Sequence, residues 1–369
     1  VADILIYAIP RDYHVNAVAW GLAQLGLAAE IWVPGDLPDM AAVSMFLGNG
    51  PPRVTLRHAE RLVDLGGVRL IWNRRLDRPR APDHAAPEDR HVIESQCLDH
   101  IDNVRALLGW AVPTVNGLTE QAWANRKAVQ LEKARRLGAT VPATLISNDF
   151  DEIASFWRAT PRVVVKPYRT VSWKSGGEVY ASFATRMPQP TEELRLSLEL
   201  CPQIFQEEVE KVADVRVIAF GHHRFALHVS PGDEEAMVDS RFSLNKRKGR
   251  FGDVDLPPFI ASFIGDYLND LGLHYGAFDF AVTPGGEWVF FECNESGQFL
   301  YLEQILPELD VLDAFCRWFA MLAGGPKRGD APVLKLADFN ASGDPLRFDS
   351  WSTHKDQLGH RGFIEEDPT

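Results

Sequence analysis

Apolar positions fall first into a run at 3–9 (DILIYAI), the pattern of a buried strand, and then into the helically spaced segment NAVAWGLAQLG. Gly26 closes that helix, where a residue free to adopt positive φ is expected, and AAEIWVP returns to strand character. This β-α-β opening predicts a parallel α/β domain. A third strand is expected at VRLIWNRR (68–75), followed by an exposed loop in the proline- and charge-rich stretch DRPRAPDHAAPEDR.

Further along, GLTEQAWANRKAVQLEKARRLG (117–138) predicts one helix stopped by Gly138, with a strand leaving it at VPATLISND. PRVVVK (161–166) is a short buried strand that ends in a lysine. Strands recur at 203–209 and 214–229, the second turning at Gly221, ahead of a helix at about 257–271 and a hairpin at 275–294. Residues 326–369 are polar, with little periodicity, and are expected to form an extension; no internal repeat is present.

Composition narrows the class. With 46% hydrophobic and 24% charged residues over 369 positions, the chain can bury a large core, and disorder, collagen and coiled coil are excluded. Its 38 Lys and Arg against 51 Asp and Glu leave a net charge of −13, which argues against general nucleic-acid binding. Cys97, Cys201, Cys293 and Cys316 show no CxxC spacing and are expected to be reduced core thiols. The opening VADILIYAIP lacks a basic flank, so no signal peptide is expected, and no window is apolar for long enough to span a bilayer. A soluble, cytoplasmic protein without a membrane partner is the expectation.

The hairpin carries the sharpest chemistry. In HYGAFDFAVTPGGEWVFFECNESGQF, Gly285-Gly286 marks a two-residue turn, and symmetry about that pair makes facing residues sum to 571. Asp279 then faces Glu292, Phe280 faces Phe291, Phe278 faces Cys293 and Val282 faces Val289. Alternation gathers Phe278, Phe280, Val282, Val289, Phe291 and Cys293 on an apolar face, and Asp279, Glu292 and Asn294 on the other. Facing like charges are destabilising, and a cation between the carboxylates would remove the conflict. An all-oxygen donor set favours Mg²⁺ over zinc. A solvated polar face with no cation accounts for the same pattern.

Lys127, near a helix start, and Lys166, at the end of its strand, are natural point charges for a nucleotide phosphate, although single lysines at such places commonly face solvent. TVSWKSGGEVY offers Gly176-Gly177 for backbone cover of phosphates. In FQEEVEKVADVRV, Gln206 and the acids end an apolar strand ahead of Asp214 and Arg216, which suits an adenine hinge or a plain acidic connection. Asn245-Lys246-Arg247-Lys248-Gly249-Arg250 is the sharpest basic run, either a solvated loop or a holder of substrate carboxylates. His14, His222, His223 and His228 lack metal-ligand spacing.

The order Asn125-Arg126-Lys127, Lys166-Pro167, Phe205-Gln206-Glu207-Glu208-Val209, Asp214-Val215-Arg216, Asp279 and Glu292-Cys293-Asn294 resembles the ATP-grasp ligases. It is similar to the branch of the ribosomal protein S6 glutamate ligase, and more closely to the graspetide (microviridin-type) peptide maturases. IWNRRLDRP (71–79), VPATLISNDFDEI (141–153) and ECNESGQFLYLEQ (292–304) support the closer likeness, which spans roughly 3–323. The glycine loop VSWKSGGEVY has fewer glycines than the glutamate-ligase type.

The resemblance implies an α/β (α+β) ATP-grasp fold with an N-terminal α/β domain (1–115), a central lid domain (116–207), a C-terminal domain with the metal hairpin (208–325) and an extension (326–369). It implies that Lys127 and Lys166 contact ATP phosphates, that Gln206, Glu207, Glu208 and Val209 line the adenine site and that Asp214 contacts the ribose. Arg216 would stabilise charge on the transferring phosphoryl group, with Lys166 and Arg241 also among the catalytic residues, and Arg241 and Asn245 would be a further nucleotide and substrate contact. Asp279, Glu292 and Asn294 would hold two Mg²⁺, and Lys246, Arg247 and Lys248 would take an acidic core.

The implied activity is ATP-dependent activation of an Asp or Glu side chain of a ribosomal precursor peptide (leader plus core), followed by ester or amide crosslinking. Positioning and charge stabilisation carry such chemistry, and the sequence shows no nucleophile triad. Two alternatives stand beside it: an ADP-forming ligase adding a free amino acid, and an inactive ATP-grasp scaffold. Relatives of this type are often homodimers, which the sequence by itself does not decide.

Overall fold

The computed structural model describes residues 2–58, 60–168, 172–175, 178–231, 249–325 and 331–342. The opening is β-α-β as expected. Strands Ala29–Trp32, Ile4–Tyr7, Leu70–Asn73 and Thr114–Val115 lie side by side in that order, all parallel. Helix Tyr13–Gln24 starts at Asp12, whose Oδ1 accepts from the N–H groups of His14 and Val15. It stops at Gly26, where φ is +80°, a value that favours glycine.

Two features here lack a sequence expectation. Strands Ala41–Phe46, Arg53–His58 and Arg61–Asp64 form a separate antiparallel sheet, and Arg90–Ala111 forms a long helix. That helix buries only Ile101, Val104, Arg105 and Leu108, a stripe too thin to stand out by periodicity.

The middle of the chain forms a four-stranded antiparallel sheet in the order Thr185–Arg186, Val163–Lys166, Gln203–Glu207, Thr144–Ser147. Phe150, Ile153 and Ala154 of helix Phe150–Ala159 share its core with Val163 and Phe205. Strands Ser172–Ser175 and Glu178–Ala181 pair as a hairpin.

The largest sheet is antiparallel, in the order Gly249–Asp253, His223–Pro231, Ala213–Phe220, Tyr275–Val282, Trp288–Asn294. Ile218, Phe220, Leu227 and Tyr275 join one core with helices Tyr13–Gln24 and Val311–Leu322. Val215, Val217, Phe278 and Phe290 join another with helix Pro258–Asp270. The expected turn at Gly221 is present, with φ +51°.

Three expectations are corrected. The single helix over 117–138 is two, Leu118–Ala124 and Lys127–Arg136, broken at Asn125-Arg126; Gly138 still ends the second at φ +84°. The thiols are all free, but only Cys293 and Cys316 are core residues; Cys97 is half-buried and Cys201 exposed. Residues 331–342, part of the expected extension, pack onto the body: Leu334 N–H donates to Asp313, Leu336 N–H to the buried Glu303, and Phe339 meets Tyr13 and Trp20. Among the described residues no helix is long and apolar enough to cross a membrane.

Candidate active site

The Asp279–Glu292 register is as expected, but the hairpin reaches it by another route. Asp279 faces Glu292, Phe278 faces Cys293 and Ala277 faces Asn294. The tip is a longer loop in which Thr283 N–H donates to the Glu287 carbonyl and Gly286 takes φ +80°. Between tip and site the register slips at Asp279/Phe280, so Phe280 faces Phe290, and Ala281 faces Val289. The pairings of Phe280 with Phe291 and of Val282 with Val289 are therefore corrected. The physical reason is a bulge, which adds one residue on one strand. Phe290 takes the core place, and Phe291 leaves the apolar face to lie beneath the Lys166 ammonium, 4.5 Å from its ring centroid.

The two facing carboxylates are neutralised by the chain itself. Arg216, beside Asp279 across the sheet, donates from Nη1 to both Asp279 oxygens at 2.7 Å. Lys127 forms an ion pair with Glu292. The helix break at Asn125-Arg126 makes Lys127 the first residue of its helix, within reach of the hairpin. Burial pushes the Asp279 carboxyl above its usual range, and the Arg216 charge offsets only part of that. Burial acts on Glu292 in the same sense, but the Lys127 charge and hydrogen bond outweigh it and hold that carboxylate low. Asp279 and Glu292 keep 32% and 35% of their side-chain surface exposed, so both can exchange partners with an incoming ligand.

Lys166 is joined to this centre through the neighbouring sheet. Its Nζ donates to Gln206 Oε1 at 2.6 Å, and Gln206 Nε2 donates to Thr144 Oγ1. Its charge also acts on Glu292. Beyond Gln206, Glu207 accepts from Ala143 N–H at 3.3 Å, and Val209 is half-buried. Glu208 is paired through both oxygens with Arg186, whose hydrogen bonds hold its carboxyl below the usual range. Asp214 accepts from Lys211 Nζ at 2.8 Å. Thus Lys127, Lys166, Gln206, Arg216, Asp279, Glu292 and Asn294 converge, with Glu207, Glu208, Val209 and Asp214 along the adjoining strand ends. Arg241, Asn245, Lys246, Arg247, Lys248, Gly176 and Gly177 lie outside the described residues.

Several supporting residues escape a motif reading because they come from distant elements. Asn116 Nδ2 donates to the carbonyls of Tyr275 and Glu295, and its Oδ1 accepts from the N–H groups of His274 and Tyr275. Asn125 Nδ2 donates to Glu295 Oε1, and Gln130 bonds both backbone groups of Cys293. The loop after Asn294 presses on Arg216: a Cβ at Gly297 would stand 3.0 Å from Arg216 Nη2 and 2.5 Å from Ala277 Cβ. Tyr301 borders the same place, its phenol pushed up to about 12 by burial, with Arg216 acting in the opposite direction.

The donor set fits a hard cation. Asp279 and Glu292 supply carboxylates on one face, and Asn294, whose Oδ1 accepts from Ser296 N–H, stands next along the strand. Among the described residues no group of three or more His, Cys, Asp or Glu side chains is placed to form a metal centre.

No family model matches the chain, and no curated protein sequence does. Solved structures do. The Chryseobacterium gregarium RiPP-associated ATP-grasp ligase, in complex with ADP and a leader and core peptide, is 20% identical, with 91% of this chain and 99% of that one covered at a TM-score of 0.80. The macrocyclase MdnC of Microcystis aeruginosa, bound with precursor peptide MdnA, is 23% identical, with 87% and 99% covered at 0.74. The D-alanyl-alanine synthetase A of Vibrio cholerae is 12% identical, with 88% and 97% covered at 0.53. Carried by this likeness over nearly the whole length of each, the mixed helix-and-sheet architecture of this chain is the ATP-grasp ligase fold.

Proposed function

We propose that the protein is an ATP-dependent carboxylate ligase that activates an Asp or Glu side chain of a ribosomal precursor peptide and crosslinks it to another side chain. The observation that carries this reading is the convergence of Lys127, Lys166 and Arg216 on Asp279 and Glu292, on a fold whose structural neighbours include ligases holding ADP and precursor peptides. In the first step a carboxylate oxygen bonds to the γ-phosphorus, the bond to the β–γ bridging oxygen breaks, and ADP leaves. In the second, a hydroxyl or amine bonds to the acyl carbon and phosphate leaves; the nucleophile's proton passes to solvent or phosphate.

Lys127 and Lys166 would hold phosphate oxygens, and Arg216 would face the charge that builds on the transferring group. Removing one such contact costs about 2–4 kcal/mol of barrier. Asp279, Glu292 and Asn294 would hold two Mg²⁺, which supply charge neutralisation of the phosphates. The backbone at Glu207–Val209 would meet the adenine, and Asp214 the ribose after release from Lys211. An acidic core would suit Lys246, Arg247 and Lys248.

The test is mass spectrometry of a short acidic precursor peptide encoded beside the gene, incubated with the protein, ATP and Mg²⁺. Loss of one water per bond, abolished in Glu292→Ala, is expected. A mass gain equal to an amino acid less one water would replace this reading with a free-amino-acid ligase, and nucleotide binding without product would favour a scaffold.

A further inference from the structure

Strand pairing sets three polar residues in a row on one face of the central sheet. Gln206 lies directly opposite Thr144, and Lys166 lies opposite Ile204, two positions before Gln206. Residues that face each other across paired strands, or stand two apart on one strand, share a sheet face. The remainder of that face is apolar, with Ile146, Val164 and Ile204. Leu145, Val163, Val165 and Phe205 occupy the reverse face and pack into the core of this sheet. The polar row is thus turned away from that core. It looks instead onto the strand that carries Glu292, since the Lys166 ammonium lies 4.5 Å from the ring centroid of Phe291.

The hydrogen bonds along the row run in one direction. Thr144 Oγ1 donates its single proton to the Pro142 carbonyl at 2.9 Å. Only lone pairs are then left for Gln206, so the amide nitrogen faces Thr144 and donates to it at 2.9 Å. The amide oxygen is thereby turned the other way, where it accepts from Lys166 Nζ at 2.6 Å. Reversed, the amide would set its nitrogen against the ammonium, donor against donor. Gln206 is 3% exposed, which leaves little room for solvent to stand in for either partner.

Lysine carries a flexible four-carbon stem, and a phosphate-binding lysine gives up that freedom either on folding or when the nucleotide arrives. Here the Gln206 oxygen and the Phe291 ring hold the ammonium from two different sheets. A charged donor fixed in advance needs no reorganisation when its ligand comes.

We propose that Thr144, acting through Gln206, is a positioning residue that sets the Lys166 ammonium for the nucleotide phosphates. The inference rests on the phosphate role proposed for Lys166 and deepens it. Thr144 touches neither nucleotide nor metal; its task is to decide which end of the Gln206 amide faces the lysine. The Gln206 side chain accordingly serves Lys166 rather than the base.

Calorimetry of the full chain with ADP and Mg²⁺, and with adenosine by displacement, tests it. Thr144→Val keeps the side-chain shape but removes the oxygen, and should weaken ADP about tenfold, the worth of one hydrogen bond to a charged group. Adenosine affinity should not move, and Thr144→Ser should restore ADP binding. Gln206→Met removes the acceptor itself and should show the same selective loss. Because both residues act through Lys166, neither substitution should weaken ADP further in a Lys166→Met background. A loss that persists in that background, adenosine affinity falling in step with ADP, no rescue by Thr144→Ser, or unchanged ADP affinity in Thr144→Val would each overturn the assignment. Failure of the ligase reading has a separate signature, since it appears as absent water loss from the precursor peptide whatever the order of these affinities.

Discussion

Asn116 offers a quantitative test of how the strand that carries Asp279 is held. Its buried side chain makes four hydrogen bonds of 2.7–3.1 Å, two given to the carbonyls of Tyr275 and Glu295 and two taken from the N–H groups of His274 and Tyr275. Asn116→Ala removes all four. The His274 N–H belongs to an exposed residue and can turn to water, whereas the other three groups belong to buried residues. Each buried group left unpaired costs about 1–3 kcal/mol. The low end applies because Tyr275 also pairs with Phe220 in the sheet, which gives a loss of about 3 kcal/mol.

Asn116→Asp should lose a similar amount at pH 7, because its carboxylate would face two carbonyl oxygens. Burial and those oxygens raise its folded pKa above the unfolded value, so the native state binds more protons and the variant regains stability as pH falls from 7 to 5. Urea unfolding followed by tryptophan fluorescence reads this, since Trp72 is buried and paired in register with Val115, next to Asn116. A loss below about 1 kcal/mol in Asn116→Ala, or an Asn116→Asp variant that weakens on acidification, would refute the argument.

Two further outcomes follow from the site's charges. Lys127→Met removes the partner of Glu292 and a candidate phosphate contact; ADP affinity at saturating Mg²⁺ should fall about 10- to 100-fold, the worth of one charge-assisted hydrogen bond, as read by calorimetry. Arg186→Gln should cost about 0.5–1 kcal/mol at pH 7, discounted because Arg186 is 46% exposed. Its partner Glu208 has a lowered folded pKa, so this contribution is present above the unfolded carboxylate range and vanishes as pH falls through the folded value. Urea midpoints of wild type and variant should therefore converge in acid, and a gap that persists there would exclude the Arg186–Glu208 pair as its source.

The sequence by itself determined those elements whose residues answer to a strong local rule. Alternating apolar residues around a glycine turn marked the hairpin, with Asp279 meeting Glu292 because the longer tip and the bulge offset each other, and positive-φ glycines at Gly26, Gly138 and Gly221 marked the stops and turn. Charge and oxygen chemistry pointed to Lys127, Lys166, Asp279 and Glu292, and the resemblance to the ATP-grasp ligases added Arg216, before any contact was known. Elements with weak local signals were illegible: the helix Arg90–Ala111, with its narrow buried stripe, and the sheet of Ala41–Phe46, Arg53–His58 and Arg61–Asp64.

Only the tertiary structure decided what depends on contacts between distant segments. The bulge that puts Phe291 under Lys166 rather than in the core reflects competition for one core place, won by Phe290 among Phe263, Phe280 and Tyr267. The break that aims Lys127 at Glu292 lies in a segment whose residues are otherwise sound helix formers. Asn116 and Arg74 lie 179 and 222 residues from the backbone carbonyls they hold, so no pattern within either segment can announce them. Local sequence sets backbone preference and side-chain chemistry, whereas a site between sheets is assembled by burial and hydrogen-bond satisfaction across the whole chain, and those are properties of the packed molecule.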